Sequence, residues 1–171
     1  FSKYTLVVCL FLFSCIKNEN NDLHKEYMSQ YYPHLFNKKV HFNKANFNKS
    51  NSYTSVNDNS KINIIKLINT GCTSCFVELE EWKVFVENNE LPNNVDIKFL
   101  AIGELNSYFK GVMRDYQYPF EIWSDTTDSF LSKNDYIYNP LETLWVNQGD
   151  SIVLVGSPVK NKLLLKLINK L

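Results

Sequence analysis

Between residues 61 and 171 the chain alternates short apolar runs with amphipathic stretches. Ile62, Ile64, Ile65, Leu67 and Ile68 form a largely β-branched run long enough for a central strand buried on both faces, ending at Asn69-Thr70-Gly71. Residues 76–86 place Leu79, Trp82, Phe85 and Val86 at helical spacing, with Glu78, Glu80, Glu81 and Lys83 mostly on the other side. Residues 95–102 read as a second buried strand, and 105–116 as a helix carrying Leu105, Phe109, Val112, Met113 and Tyr116. After Pro119 comes a short extended piece at 120–123, then a helical turn at 129–133. Residues 144–146 and 152–155 flank Gln148-Gly149-Asp150, a hairpin signal, and Leu163, Leu164, Leu167, Ile168 and Leu171 give a terminal helix its apolar face.

Early strands separated by helices imply parallel pairing through crossovers, and the late hairpin adds an antiparallel edge. The expected architecture is α/β, a mixed sheet with helices on both faces. Upstream the character changes. Residues 17–22 and 43–60 are rich in Asn, Lys and Ser and read as tether or loop. Between them, 25–37 suits a short helix interrupted by Pro33, and 39–43 alternates enough for an edge strand. His24, His34 and His41 all lie here without Cys or carboxylate at ligand spacing, which predicts surface residues and no metal site.

Composition narrows the function classes. Apolar residues make up 44% of the chain, enough for a packed interior, so wholesale disorder is excluded. Basic and acidic side chains number 18 each, leaving no electrostatic footprint for nucleic acid. The stretch from Thr5 to Ser14 is almost wholly apolar, too short to span a bilayer but right for the hydrophobic region of a signal peptide. Leu12-Phe13-Ser14-Cys15 resembles the lipobox of bacterial lipoproteins. That resemblance implies cleavage before Cys15 and lipid on its thiol, holding the mature chain at a membrane surface. An ordinary signal peptide or a short membrane anchor with an incidental cysteine is the plainer alternative. The chain opens without Met, so the positively charged start of the signal reads as cut short.

With Cys9 and Cys15 assigned to the leader, Cys72-Thr73-Ser74-Cys75 holds the remaining thiols, at the junction of the first buried strand and its helix. With that pair, Thr143-Leu144-Trp145-Val146-Asn147 before a Gly turn, and Gly156 before the last helix, residues 61–171 resemble the thioredoxin superfamily. Within it, the chain looks like the membrane-tethered thiol-disulfide oxidoreductases of bacterial cell envelopes. The resemblance implies a lipoprotein signal peptide over 1–14, a lipid-anchored tether and N-terminal extension over 15–60, and a thioredoxin-like domain over 61–171. It implies thiol-disulfide exchange with protein thiols or disulfides, or with an upstream redox donor, in the periplasm or at the cell exterior, and it calls for no cofactor.

A thiolate at a helix start meets unpaired N–H groups and the positive end of the helix dipole, so Cys72 is expected to attack. Cys75, about one turn on, is expected to resolve the mixed disulfide. Thr73 and Ser74 offer hydroxyls near the sulfur but no charge, and their effect on redox poise has no assigned direction. Pro140 and Thr143 are the expected shapers of a client groove. Three positions depart from the family pattern. Gly71 stands where thioredoxins carry Trp, Lys66 where many relatives have a buried acid, and Pro140 falls one residue early for the usual cis-proline. Two other roles for the cysteines stay open. A disulfide could staple the turn within a non-catalytic binding lipoprotein, although so short a loop removes little entropy from the unfolded chain. A zinc site would need two further ligands, and no second Cys-x-x-Cys or His pair exists.

Overall fold

The computed structural model describes residues 23–54, 60–88, 91–137, 139 and 142–168. The elements run α1 (Leu23–Tyr31), β1 (Asn48–Lys49), β2 (Ile62–Asn69), α2 (Thr73–Glu87), β3 (Val95–Ile102) and α3 (Ser107–Asp115). They continue with β4 (Glu121–Asp125), α4 (Ser129–Lys133), β5 (Thr143–Asn147), β6 (Ile152–Val155) and α5 (Leu163–Ile168). One six-stranded sheet has the order β1-β4-β3-β2-β5-β6. β2, β3 and β4 are parallel, as helical crossovers require, while β5 and β6 form the antiparallel hairpin beside β2.

Strand alternation explains how the central strand is covered. Lys66 projects from β2 toward α2, where it meets Glu78, and its register partner Phe99 stands edge-on to Trp82 of the same helix, ring centroids 5.7 Å apart. Asn63 and Ile65 point the opposite way and share a cavity of about 430 Å³ with Val40, Phe42 and Val146. Trp82, Phe99, Phe120 and Trp145 are completely buried, and Phe99 stacks on Phe120 at 4.2 Å. Burial of each such ring contributes roughly 1.5–3 kcal/mol.

The N-terminal extension is folded against this core. α1 buries Met28, and the Tyr27 hydroxyl donates to the carbonyl of Val155. Pro33 lies just beyond the end of α1, as its missing N–H demands. The edge strand expected over 39–43 is reduced to a single bridge, Lys39 with Ser151, and the sixth strand is instead Asn48–Lys49, antiparallel to β4. Buried Asn134 accounts for the difference. Its side chain accepts from the His41 N–H at 2.8 Å and donates to the His41 carbonyl at 3.2 Å, giving this backbone a side-chain partner in place of a neighbouring strand. His24 also departs from expectation, being buried with its ring edge-on to Phe36.

At the far side of the sheet, Gly156 leaves β6 with φ of +121°, a conformation that side chains rarely adopt. The Trp145 indole N–H donates to its carbonyl and fixes the turn toward α5. Among the described residues no helix is long and apolar enough to cross a membrane.

Candidate active site

The loop joining β2 to α2 is fixed by hydrogen bonds from three directions. The Thr70 N–H donates to the Ile102 carbonyl at 3.2 Å and its hydroxyl to the Glu104 carbonyl at 2.6 Å, tying the loop to the end of β3. The Asn106 side chain donates to the Thr70 carbonyl at 2.9 Å while its oxygen caps α3 through the Phe109 N–H. Asn69 closes the turn, its side chain accepting from the Gly71 N–H and its carbonyl from the Cys72 N–H. The consequence is a rigid platform at the C-terminal edge of the parallel strands.

On that platform Cys72 is the N-cap of α2, with extended φ and ψ of −102° and 111°. Cys75 lies inside the first turn, its N–H donating to the Cys72 carbonyl at 3.1 Å. Both are free thiols. Their surroundings differ sharply: Cys72 is partly exposed, whereas Cys75 retains 3% of its surface.

That contrast separates their acidities. The Cys72 thiol is pulled down from 9.0 to about 7, first by the Ser74 hydroxyl, 2.9 Å from the sulfur, and then by the Cys75 thiol and N–H. The Cys75 thiol is pushed up from 9.0 to about 11, first by burial, then by hydrogen bonding to Cys72, with the carboxylate of Glu78 contributing in the same direction. The helix-start N–H groups play a smaller part than the sequence led one to expect. The Cys72 sulfur makes no ordinary N-cap hydrogen bond, and the Ser74 hydroxyl acts on it ahead of the Cys75 thiol and N–H.

Beneath the pair sits an arrangement that sequence reasoning missed. Lys66 keeps only 3% of its surface, and its ammonium lies 3.2 Å from Glu78, one turn below Cys75 on α2. The second carboxylate oxygen of Glu78 faces Lys160 at 3.5 Å. Glu78 and Glu80 therefore leave the solvated acidic face expected of them: Glu80 accepts from the buried Tyr118 hydroxyl at 2.8 Å, and only Glu81 remains exposed. A lysine embedded in a run of buried β-strand residues was the available signal, because a buried ammonium requires a counter-charge.

Of the other expected site residues, Thr143 is the register partner of Lys66 and is 2% exposed, with its carbonyl accepting from the Gly156 N–H at 2.8 Å. Pro140 and Cys15 lie outside the described residues. On the opposite side of the platform the ring of Tyr108, 58% exposed, stands edge-on to Phe76 at 4.8 Å and forms an aromatic rim beside the first turn of α2.

No protein-family model matches this chain. No curated protein is significantly similar to it. Solved structures do resemble it. StoA from Bacillus subtilis matches with a TM-score of 0.53 and 13% identity, covering 67% of this chain and 87% of that one. A protein bearing the name thiol:disulfide interchange protein DsbE, from Chlorobium tepidum, matches with a TM-score of 0.53 and 9% identity, covering 78% and 97%. The exposed lipoprotein thioredoxin Etrx1 from Streptococcus pneumoniae matches with a TM-score of 0.50 and 14% identity, covering 65% and 86%. At these identities the likeness is one of fold, and that fold is thioredoxin-like.

Proposed function

We propose that this chain is a thiol-disulfide oxidoreductase of the bacterial cell envelope, with Cys72 as nucleophile and Cys75 as resolving thiol. The observation that carries the reading is the inequality of the two sulfurs. One is partly exposed and held as thiolate near neutral pH; the other is buried and protonated. A disulfide serving only to staple the turn has no use for that inequality.

In the reducing direction the Cys72 thiolate attacks one sulfur of a client disulfide, forming a mixed disulfide and releasing the other client sulfur as a thiolate. Cys75 then loses its proton and attacks the Cys72 sulfur, which breaks the mixed disulfide and frees the second client thiolate. Two electrons pass from the pair to the client, and the pair ends as a disulfide. The oxidising direction is the reverse. Glu78, whose charge acts on Cys75, is the carboxylate placed to influence departure of that proton. Pro140, with Thr143 setting the start of β5, shapes the client groove, and Tyr108 and Phe76 border the opposite side. Clients are protein thiols or disulfides, or an upstream redox donor.

The cellular setting follows from the leader. Residues 1–14 act as a lipoprotein signal peptide, Cys15 carries lipid, and 15–60 comprises the tether and the extension that leads into the domain. The name of the pneumococcal structure, an exposed lipoprotein thioredoxin, supports an extracytoplasmic location.

Reduction of insulin, with dithiothreitol as electron source, tests the activity. Wild type is expected to accelerate precipitation of the insulin B chain, and Cys72→Ser to lose the acceleration. Equal turnover by the two proteins would overturn the reading and favour a binding module with inert cysteines.

A further inference from the structure

We propose that the cavity on the sheet face opposite α2 binds a small apolar zwitterion, an α-amino acid or dipeptide, with its carboxylate at Lys98 and Asn63 and its ammonium at Asp150. The inference is independent of the exchange reading above. Asn63 lies at the start of β2 and Cys72 follows its far end, so the two sites are about 20 Å of extended strand apart. The cavity holds about 430 Å³, a volume suited to a small ligand. Along this face the strands divide into two zones. Leu67 and its register partner Leu100 are completely buried, whereas toward the start of the same strands Asn63 pairs with Asp96 and Ile65 with Lys98. Charged and amide side chains thus interrupt the apolar face only where it opens into the cavity.

The lining presents donors at one end and an acceptor at the other. Lys98 is 8% exposed, and its ammonium donates to the Asp96 carboxylate at 2.6 Å and to the Asn63 side-chain oxygen at 2.5 Å. An ammonium has three N–H donors and an amide nitrogen two. Among the described residues one Lys98 N–H and the Asn63 amide nitrogen therefore remain for an acceptor within the cavity. Asp150 stands in the β5–β6 turn, two strands across from β3 or about 10 Å. Its backbone N–H is fixed to the Asn147 carbonyl, while its carboxylate has no partner among the described residues. Lys44, the other cation of the lining, is engaged by Glu121 at 3.6 Å and lies over the Trp123 ring. Lys44 and Lys98 balance Asp96 and Asp150 in charge, so the cavity favours neither a lone anion nor a lone cation. A zwitterion satisfies both ends through charge-assisted bonds. Val40, Phe42, Ile65 and Val146 supply apolar walls for its side chain.

Calorimetric titration of the full chain at neutral pH with leucine, phenylalanine and alanyl-leucine tests the site. At least one of the three is expected to bind, and blocking its amine by acetylation or its carboxylate as the amide is expected to weaken binding about tenfold or more. Asp150→Asn preserves the turn, because Asn tolerates the left-handed backbone found there. It is expected to weaken the zwitterion about tenfold while leaving the acetylated form unchanged. Lys98→Met is expected to weaken the zwitterion similarly and to leave the amide unchanged; should that protein fail to fold, the Asp150→Asn comparison decides alone. No binding by any of the three, leaving the cavity to water, would overturn the proposal. Equal binding of the free and acetylated forms would do so too, since the ammonium would then have no partner at Asp150. Insulin reduction and Cys72 labelling by Asp150→Asn are expected to match wild type, so either reading can fail without the other.

Discussion

The ammonium of Lys66 lies 3.2 Å from the carboxylate of Glu78, and this ion pair is enclosed between β2 and α2 one turn below the buried thiol of Cys75. Neither group belongs to the Cys-x-x-Cys motif, yet together they set the charge beneath it. The strand supplies the cation of this pair and the helix its acid.

Removing one side of that pair is expected to cost stability unequally. Glu78→Gln takes away the carboxylate beside a nearly inaccessible ammonium, a change that costs ~3–5 kcal/mol in comparable buried pairs. Lys66→Met costs less, because Lys160 still faces Glu78 and the methionine fills the lysine's volume. Urea unfolding of the reduced proteins measures both. A Glu78→Gln protein as stable as wild type would show that the pair contributes nothing.

The two thiols also predict how the redox potential responds to pH. Below pH 7 both are protonated in the dithiol, and two protons accompany two electrons, giving a slope of about −59 mV per pH unit. Above about pH 7 Cys72 is ionised and a single proton moves, so the slope is expected to halve to about −30 mV per unit until Cys75 ionises near 11. The signs of the linked stability are opposite. The Cys72 pKa is depressed on folding, so its contribution is complete above pH 9 and lost as pH falls through 7. The Cys75 pKa is raised, so its contribution is complete below pH 9 and lost as pH rises through about 11. Potentials measured against glutathione from pH 6 to 9 reveal the break; a single slope across that range would contradict the assignment.

Much of this architecture was legible in the chain. The buried strands announce themselves as near-continuous runs of β-branched and large apolar residues, and the hairpin is marked by Gly149 and Asp150, the latter with φ of 59°. The cysteine pair was legible from its place at a strand-to-helix junction. The edge strand was not, because Asn48 and Lys49 are both exposed and polar and owe their extended form to pairing with Ser124 and Trp123, some 75 residues away. Nor could the motif alone reveal Ser74 as the neighbour of the sulfur, since that depends on which residue α2 starts from and where the hydroxyl points. Asp125 shows the reverse. It closes the turn after β4, and although burial raises its carboxyl, donors from Phe130, Thr127 and Ser129 outweigh that and hold it below the usual range.

The inequality of the two sulfurs is tested most directly by mapping iodoacetamide incorporation at Cys72 and Cys75 in the reduced full chain, peptide by peptide, between pH 5 and 10. Cys72 is expected to react with a midpoint near pH 7, while Cys75 stays essentially unlabelled in the native protein over the whole range. Equal labelling of the two at neutral pH, or a Cys72 midpoint near the ordinary thiol value of 9, would contradict the account.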